Sequence, residues 1–235
     1  MKRYFITGTD TDCGKTHVTC LLLKYFNNNN YAAQALKPVA SGSNGINDDI
    51  IRLQHFNADP ITPVNRWSFK TPVSPHLAAR HENQSLTAAE LAAFCNESRY
   101  NQFDYLLIEG AGGLMVPLNE QETWLDFIEC LSIPVIIVVG IRLGCINQAL
   151  LTEAVLKQQK AAITGWIANC LDSNMLMLEE NIATLKEKLD SPLLATVPYN
   201  QDIDWVVNPI PVRPVENAEH WSRRRGTEPQ ASRQR

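Results

Sequence analysis

The stretch that decides the fold is Gly8-Thr9-Asp10-Thr11-Asp12-Cys13-Gly14-Lys15-Thr16. It follows an apolar run at residues 4–7 and opens a helix-length periodic segment. A glycine-rich turn that joins a strand to a helix and ends in Gly-Lys-Thr is typical of a phosphate loop, because its backbone N–H groups can surround an anion. Five residues separate the two glycines where the standard pattern has four, so Thr9 takes the usual place of the first glycine. We predict that Lys15 reaches the terminal phosphates of a nucleotide and that the Thr16 hydroxyl binds Mg²⁺.

Beyond this loop, apolar runs of strand length alternate with helix-length periodic segments, which is the pattern of repeated βαβ units. The run VIIVV at residues 135–139 is apolar at every position, as in a parallel strand covered by helices on both faces. We therefore predict an α/β, P-loop NTPase-like three-layer fold with a mostly parallel sheet and helices on both faces. Strands are predicted at residues 4–7, 33–36, 105–108, 135–139, 163–168 and 193–197, and helices at residues 15–25, 48–56, 146–159 and 175–189.

Prolines and helix-capping residues add detail to the predicted arrangement of strands and helices. Residues 58–86 contain four prolines and are predicted to lie outside the sheet. Thr87 and Glu90 have the spacing of a capping box, which predicts the start of a further helix. Ser173 or Asn174 is predicted to cap the helix at residues 175–189.

The chain has 235 residues, a length that suits one large domain. We expect residues 1–205 to form a single phosphate-loop domain. Residues 206–235 are rich in Pro, Arg and Gln and have the composition of a disordered tail.

The six cysteines show no C-x-x-C spacing, so we expect reduced thiols.

Charge and hydropathy argue against several classes of function. The net charge is −4, and residues 206–235 hold six Arg and three Glu, so the net charge of residues 1–205 is −7. An acidic body does not suit a nucleic-acid partner, which requires a basic face. The longest strongly apolar run, residues 133–140, is too short to span a membrane, and the amino terminus has no secretory signal. We expect a cytoplasmic protein with no nucleic-acid or membrane partner.

Two further clusters each follow a predicted strand, at the sheet edge where ligands bind in open α/β folds. One is Lys37-Pro38-Val39-Ala40-Ser41-Gly42-Ser43, whose lysine could stabilise negative charge in a transition state or be a plain surface lysine. The other is Glu109-Gly110-Ala111-Gly112-Gly113, whose acid suits a second contact to Mg²⁺. Asp49 or Asp48, near a helix start, could complete the metal ligands or simply favour the helix dipole.

A fourth stretch is Arg142-Leu143-Gly144-Cys145-Ile146-Asn147, between a predicted strand and a helix. A glycine-containing turn at a helix amino terminus suits a carboxylate or a phosphate. Cys145 could be a nucleophile, but no His or acid lies near it in sequence, which favours packing or backbone binding. His76 is interpreted as a structural hydrogen-bonding residue.

Together these stretches resemble one family, the dethiobiotin synthases. The resemblance covers residues 1–198 in order, and the strings KPVASG and LGCIN are more specific than the phosphate loop. It rests on YFITGTDT (residues 4–11) with GKT (14–16), KPVASGS (37–43), SPH (74–76), EGAGG (109–113), VVG (138–140) with LGCIN (143–147), and GWIAN (165–169).

The resemblance implies an ATP- and Mg²⁺-dependent ring closure in which 7,8-diaminononanoate and CO₂ give dethiobiotin, ADP and phosphate. The implied route is a carbamate on one amine, its phosphorylation by ATP to a carbamic-phosphoric anhydride, and attack by the second amine. No covalent enzyme intermediate is required. The resemblance also implies a homodimer, in which the second subunit receives the carboxylate of the substrate.

The resemblance further assigns roles to single residues. The catalytic group would be Lys37, Lys15 and Thr11, with Lys37 stabilising the carbamate and the transferred phosphoryl group. Mg²⁺ would be held by Thr16, Asp49 and Glu109. The substrate would contact Thr11, Lys37, Ser41, Gly144, Cys145 and Asn147. The nucleotide would contact Asp12, Cys13, Gly14, Lys15, Thr16, His17, Asp49, Glu109, Gly110, Ala111, Gly112, Asn169 and Pro198.

Some positions depart from the family pattern. Asp12 stands where the family usually carries Glu, and Cys170 follows Asn169 where an Asp is common. The sequence after Pro198 matches poorly, and this leaves the nucleotide preference open.

Two other functions stay open at this point. A nucleotide-switch ATPase of the partition or septum-site kind shares this fold, but such proteins carry a lysine near the start of the loop, where this chain has Asp10. An amidoligase that acts on another amine or carboxylate would also keep the fold. The intact Lys37, Ser41 and residues 143–147 argue against it.

Overall fold

The protein is described by a computed structural model that covers residues 1–42 and 47–205. In these two ranges nine strands form two sheets: β1 (Lys2–Gly8), β2 (Ala33–Leu36), β3 (Val39–Ser41), β4 (Trp67–Phe69), β5 (Tyr105–Glu109), β6 (Val135–Ile141), β7 (Ile163–Cys170), β8 (Leu193–Val197) and β9 (Asp204–Trp205). The helices are α1 (Lys15–Asn28), α2 (Asp48–Phe56), α3 (Pro75–His81), α4 (Ala88–Cys95), α5 (Trp124–Leu131), α6 (Cys145–Gln158) and α7 (Leu178–Lys188), with a 3₁₀ turn at Ser98–Gln102.

The main sheet has seven strands in the order β2-β5-β1-β6-β7-β8-β9. Every pairing in it is parallel except that of β9, which runs antiparallel to β8. Strand β1 therefore lies between β5 and β6, and its residue Ile6 pairs with Glu109 on one side and Ile136 on the other. Because the strands are parallel, the loops after β1, β2 and β5 leave the same edge of the sheet.

Apolar side chains alternate between the two faces of the main sheet and build a core on each. On β1, Phe5 points into one core while Tyr4 and Ile6 point into the other. Helices α1 and α2 pack on the face of Ile6, and α4, α5, α6 and α7 pack on the face of Phe5. This arrangement confirms the predicted three-layer α/β fold with a mostly parallel sheet.

The excursion at residues 58–86 lies outside the main sheet, as its prolines indicate, but it is not free of strand structure. It contributes β4, which pairs with β3 in a separate two-stranded sheet, and it contains α3. The predicted cap at Ser173 or Asn174 is wrong, since α7 begins only at Leu178 after Met177 in the left-handed region (φ +54°). Thr87 does cap α4, where its side chain accepts from the backbone N–H of Glu90.

Within the described residues, all six cysteines are free thiols. No helix in the described ranges has both the length and the apolar character needed to cross a bilayer. We propose residues 1–205 as the single domain. The predicted tail, residues 206–235, lies outside the described residues.

Candidate active site

The phosphate loop ends at Gly14, which caps α1 in the left-handed region (φ +86°). No side chain caps the amino end of α1, and its first turn carries no acidic residue. The first backbone N–H groups of a helix have no partner inside the helix. They are therefore available to an anion, and the helix dipole favours a negative charge there.

Side-chain hydrogen bonds from Lys15 and Asn169 fix the conformation of the phosphate loop. The Lys15 side chain is buried, and its Nζ donates to the carbonyl oxygen of Asp10 across the loop at 3.1 Å. Asn169, near the end of β7, donates from Nδ2 to the carbonyl oxygen of Cys13 at 2.9 Å. The Asn169 side chain thus fastens the phosphate loop to β7, and in the described structure this contact is its visible role.

Substituting Gly14 with Ala should destabilise the protein more than the matched change Gly144→Ala. Both glycines have a positive φ, +86° and +94°, so each alanine costs about 1–2 kcal/mol of backbone strain. A Cβ on Gly14 would also lie 2.0 Å from Nδ2 of Asn169, whereas a Cβ on Gly144 meets no atom within 4 Å. Losing the Asn169–Cys13 bond adds about 1 kcal/mol. Urea unfolding of both variants measures the difference, and equal losses would contradict this account of the loop.

A polar cluster lies beside the loop, where β2 and β5 end next to the start of α1. The Nζ of Lys37 donates to Oε1 of Glu109 at 2.9 Å and also to the carboxylate of Asp49. The same Nζ lies 3.5 Å from Oγ1 of Thr16, and that hydroxyl donates to Oε1 of Glu109 at 2.6 Å. Four residues far apart in sequence therefore form one connected group.

The charges in this cluster stabilise one another. Burial alone would lower the pKa of Lys37, but the carboxylates of Glu109 and Asp49 raise it above its ordinary value. Burial would raise the pKa of Asp49, yet the charge of the Lys37 ammonium and its hydrogen bond bring it below its ordinary value. Lys37 is thus a cation and Asp49 an anion at neutral pH.

The donor set of this cluster fits Mg²⁺. Glu109 is fully buried, and its Oε2 has no hydrogen-bond partner among the residues described. A buried carboxylate oxygen without a partner is costly, so it indicates that another group belongs there. Thr16, Asp49 and Glu109 offer one hydroxyl and two carboxylates, which are the oxygen ligands that Mg²⁺ prefers.

A cavity of about 400 Å³ opens over the loop and the cluster. Twelve residues assigned from the sequence line it: Thr11, Asp12, Gly14, Lys15, Thr16, His17, Lys37, Ser41, Asp49, Glu109, Ala111 and Gly112. Seven others do not: Cys13, Gly110, Gly144, Cys145, Asn147, Asn169 and Pro198.

Three lining residues had no role assigned from the sequence: Ala40, which lies in the quoted stretch 37–43, and Asn47 and Arg52. Arg52 lies one turn after Asp49 on α2, so the i, i+3 spacing was the signal for it. Burial lowers the pKa of His17 below its ordinary value, and the Arg52 guanidinium lowers it further. The carboxylate of Asp202 raises it by a smaller amount. Asn47 caps α2 by accepting from the backbone N–H of Ile50.

The stretch before α6 lies on another side of the loop. Cys145 is fully buried, and its Sγ lies 3.9 Å from Oδ1 of Asn181, which supports the packing interpretation over a nucleophile. Gly144 caps α6 with no side-chain cap, and Leu143 is 98% exposed. In one chain the amino end of α6 is thus open to solvent and separate from the cavity.

Asp10 connects the phosphate loop to the β6–α6 connection and the first turn of α6. Its Oδ2 accepts from the Arg142 guanidinium at 2.7 Å and from Nε2 of Gln148 at 3.0 Å, while its Oδ1 accepts from the backbone N–H of Thr11 at 2.7 Å. The carboxylate at this loop position therefore binds the chain's own β6–α6 connection.

Comparison with known proteins identifies the family. A family model described as an AAA domain matches residues 2–207. The ATP-dependent dethiobiotin synthetase BioD of Legionella pneumophila (strain Corby) is 52% identical over 208 residues, which cover 86% of this chain and 96% of that protein. The chain belongs to the dethiobiotin synthetase family. A second dethiobiotin synthetase, from Cellvibrio japonicus (strain Ueda107), is 44% identical over 204 residues, or 84% of this chain and 89% of that protein. The resemblance seen in the sequence is confirmed.

Solved structures share the fold of this dethiobiotin synthetase family member at low identity. Cell division protein FtsY from Thermotoga maritima matches with a TM-score of 0.51 and 16% identity over 88% of this chain, which spans 65% of FtsY. A ParA family ATPase from Chlorobium tepidum matches with a TM-score of 0.51 and 14% identity, over 85% of this chain and 84% of that one. At such identities the likeness shows the fold alone, and it confirms the P-loop NTPase-like architecture.

Proposed function

We propose that this chain catalyses the ATP- and Mg²⁺-dependent carboxylation and ring closure of 7,8-diaminononanoate with CO₂ to give dethiobiotin, ADP and phosphate. Its relatives are named ATP-dependent dethiobiotin synthetases. The observation that carries the proposal is the placement of Lys37 beside the phosphate loop, in a cavity shared with Thr11, Lys15 and Ser41. One cavity can thus hold the phosphates and the reacting amine side by side.

The residues of the chain act by placement and charge. The N–H groups at the start of α1 and the ammonium of Lys15 hold the phosphates of ATP. Thr16, Asp49 and Glu109 hold Mg²⁺, which neutralises charge on the transferred phosphoryl group when bound. Lys37 stabilises the negative charge of the carbamate and of the phosphoryl group as it moves.

The reaction itself needs no enzyme nucleophile. One amine of the substrate adds to CO₂ and loses a proton, which gives a carbamate. The carbamate oxygen attacks the terminal phosphorus of ATP, and ADP leaves with the electrons of the broken P–O bond. The second amine then attacks the carbonyl carbon, loses a proton and expels phosphate. Thr11 and Ser41 hold the diamine end, and orienting the two reacting groups lowers the barrier to ring closure.

Substituting Glu109 with Gln should raise the Mg²⁺ concentration needed for half-maximal activity by about tenfold or more. The change removes one of two anionic ligands from a buried site, where charge interactions are strong. Asp48→Asn is the matched control, because Asp48 is exposed one residue from Asp49, and it should leave the Mg²⁺ requirement within about twofold. Titration of product formation with Mg²⁺ compares the variants, and an unchanged requirement in Glu109→Gln would remove Glu109 from the metal ligands.

We further propose a homodimer in which Gly144, Cys145 and Asn147 of one subunit receive the substrate carboxylate of the other. The amino end of α6 has no side-chain cap, and Gly144, Cys145 and Asn147 do not line the cavity of their own chain, which supports this arrangement.

Mixing two inactive variants tests the shared site. Lys37→Gln removes the charge at the reacting end, and Asn147→Asp places a negative charge where the carboxylate would bind. After subunit exchange, half of the dimers are mixed and each mixed dimer has one intact site, so about a quarter of the natural activity should return. A mixture that stays inactive after demonstrated exchange would contradict a site built from two subunits.

The alternative function, a nucleotide-switch ATPase of the partition kind, is supported by the shared fold alone. Asp10, at the loop position where those proteins carry a lysine, is bound to Arg142 and Gln148. An assay for dethiobiotin with and without the diamine separates the two functions, since a switch ATPase would hydrolyse ATP equally in both.

A further inference from the structure

Lys37 stands among the side chains that we propose as ligands of Mg²⁺. Its ammonium donates to Glu109 at 2.9 Å, donates to the carboxylate of Asp49 and lies 3.5 Å from Thr16. These three residues are the proposed metal ligands, and Lys37 itself is only 6% exposed. A lysine thus supplies the positive charge at the centre of the candidate metal site.

The ammonium and a divalent cation cannot share this position. Mg²⁺ binds oxygen at about 2.0–2.1 Å and demands near-octahedral geometry. Nζ of Lys37 lies 2.9 Å from Oε1 of Glu109 and 3.5 Å from Oγ1 of Thr16 and also contacts Asp49, so a metal held by all three residues would lie near the ammonium even if Glu109 used its free Oε2. Two cations this close beside the fully buried Glu109 would repel each other. We therefore expect Nζ of Lys37 to move away from Glu109 and Asp49 when the metal enters.

We propose that Lys37 is a placeholder cation, which occupies the metal position in the nucleotide-free protein and is displaced toward the substrate when Mg²⁺–nucleotide binds. This inference rests on the proposed function. It explains how two carboxylates, one of them fully buried, keep a counter-charge before the metal arrives, since an unpaired buried charge is strongly destabilising. It also sets an order of events, because Lys37 becomes free for the carbamate only once the metal is in place.

The surroundings of Lys37 allow its side chain to move without its backbone. The backbone is anchored by the Lys37 N–H, which donates to the carbonyl oxygen of Val64 at 2.9 Å, and by Asn65, whose Nδ2 donates to the Lys37 carbonyl oxygen at 2.7 Å. The side chain has four rotatable carbons and lines the same cavity as Thr11 and Ser41. Rotation about its side-chain bonds moves Nζ from the carboxylates into that cavity.

Binding of Mn²⁺ without nucleotide tests the displacement directly. Mn²⁺ prefers the same oxygen ligands and is visible by electron paramagnetic resonance. Lys37→Met keeps the length of the side chain and removes the charge, so it should bind Mn²⁺ about tenfold more tightly than the natural chain. Lys37→Arg keeps the charge and should bind no more tightly than the natural chain. If Lys37→Met gains no affinity while circular dichroism shows it folded, the placeholder role is refuted.

A second test uses the natural chain alone, so it does not depend on whether the Lys37 variants fold. Crystal structures without ligand and with Mg²⁺–ADP should show Nζ of Lys37 in contact with Glu109 in the first and away from both carboxylates in the second. A Lys37 that keeps both contacts beside the bound metal would overturn the inference. Dethiobiotin formation by the natural chain is measured separately. Its failure would refute the proposed function, whereas these two comparisons decide the placeholder role.

Discussion

Lys15→Gln should lower kcat/KM for ATP by about 10³-fold and leave the protein folded. Lys15 is buried in the phosphate loop and lines the cavity, and its Nζ donates to the carbonyl oxygen of Asp10 at 3.1 Å. Glutamine keeps most of the side-chain volume but removes the charge that stabilises the transferred phosphoryl group. Effects of this size are usual for such groups.

The control for Lys15→Gln is Lys24→Gln on the same helix. Lys24 is exposed and pairs with Asp202 at 2.8 Å, so its loss should change kcat/KM by less than about twofold. Steady-state kinetics with varied ATP, together with thermal unfolding, measures both variants. If Lys15→Gln turned over ATP at the natural rate, the phosphate-loop assignment would be wrong.

Lys37→Gln should reduce dethiobiotin formation by about 10²–10³-fold while nucleotide still binds. Among the hydrogen bonds of the described residues, Lys37 reaches the phosphate loop at Thr16 alone, at 3.5 Å, so we expect the backbone groups that hold the phosphates to stay in place. The loss should fall on kcat more than on the KM for ATP, because Lys37 acts on the charge that forms during phosphoryl transfer.

Lys157→Gln is the charge-matched control for Lys37, because Lys157 is exposed on α6 and pairs with Asp190. It should keep product formation within about twofold of the natural chain. Product formation by mass spectrometry and nucleotide binding by calorimetry give the two readouts. Normal product formation by Lys37→Gln would leave Lys37 without a catalytic role.

Sequence patterns predicted the layers of the fold because parallel buried strands and phosphate-loop glycines have strong local signatures. Strand runs such as residues 135–139 and the loop at residues 8–16 appear in the structure where they were expected. Helix α5 was missed, although Thr123 and Asp126 form the capping box that marks its start. The cap predicted at Asn174 failed because the backbone N–H of Asn174 bonds to Oδ1 of Asp172 in a local turn.

The chemistry of the candidate site was only partly readable from the sequence. Lys37 and Glu109 could be assigned to one sheet edge, but their contact depends on β2 lying next to β5, and periodicity does not give strand order. The choice between Asp48 and Asp49 depends on which side of α2 faces the lysine, and the structure brings Asp49 to it. Lys37 within the metal cluster had no sequence signal, since it arises from tertiary contacts alone.

Product analysis by mass spectrometry tests the proposed function most directly. The natural chain is incubated with Mg²⁺–ATP, bicarbonate and 7,8-diaminononanoate, beside a control that lacks the diamine. We expect dethiobiotin and ADP in the first sample and no dethiobiotin in the control. Equal ATP hydrolysis in both samples with no dethiobiotin would contradict the proposed function and favour a nucleotide-switch ATPase.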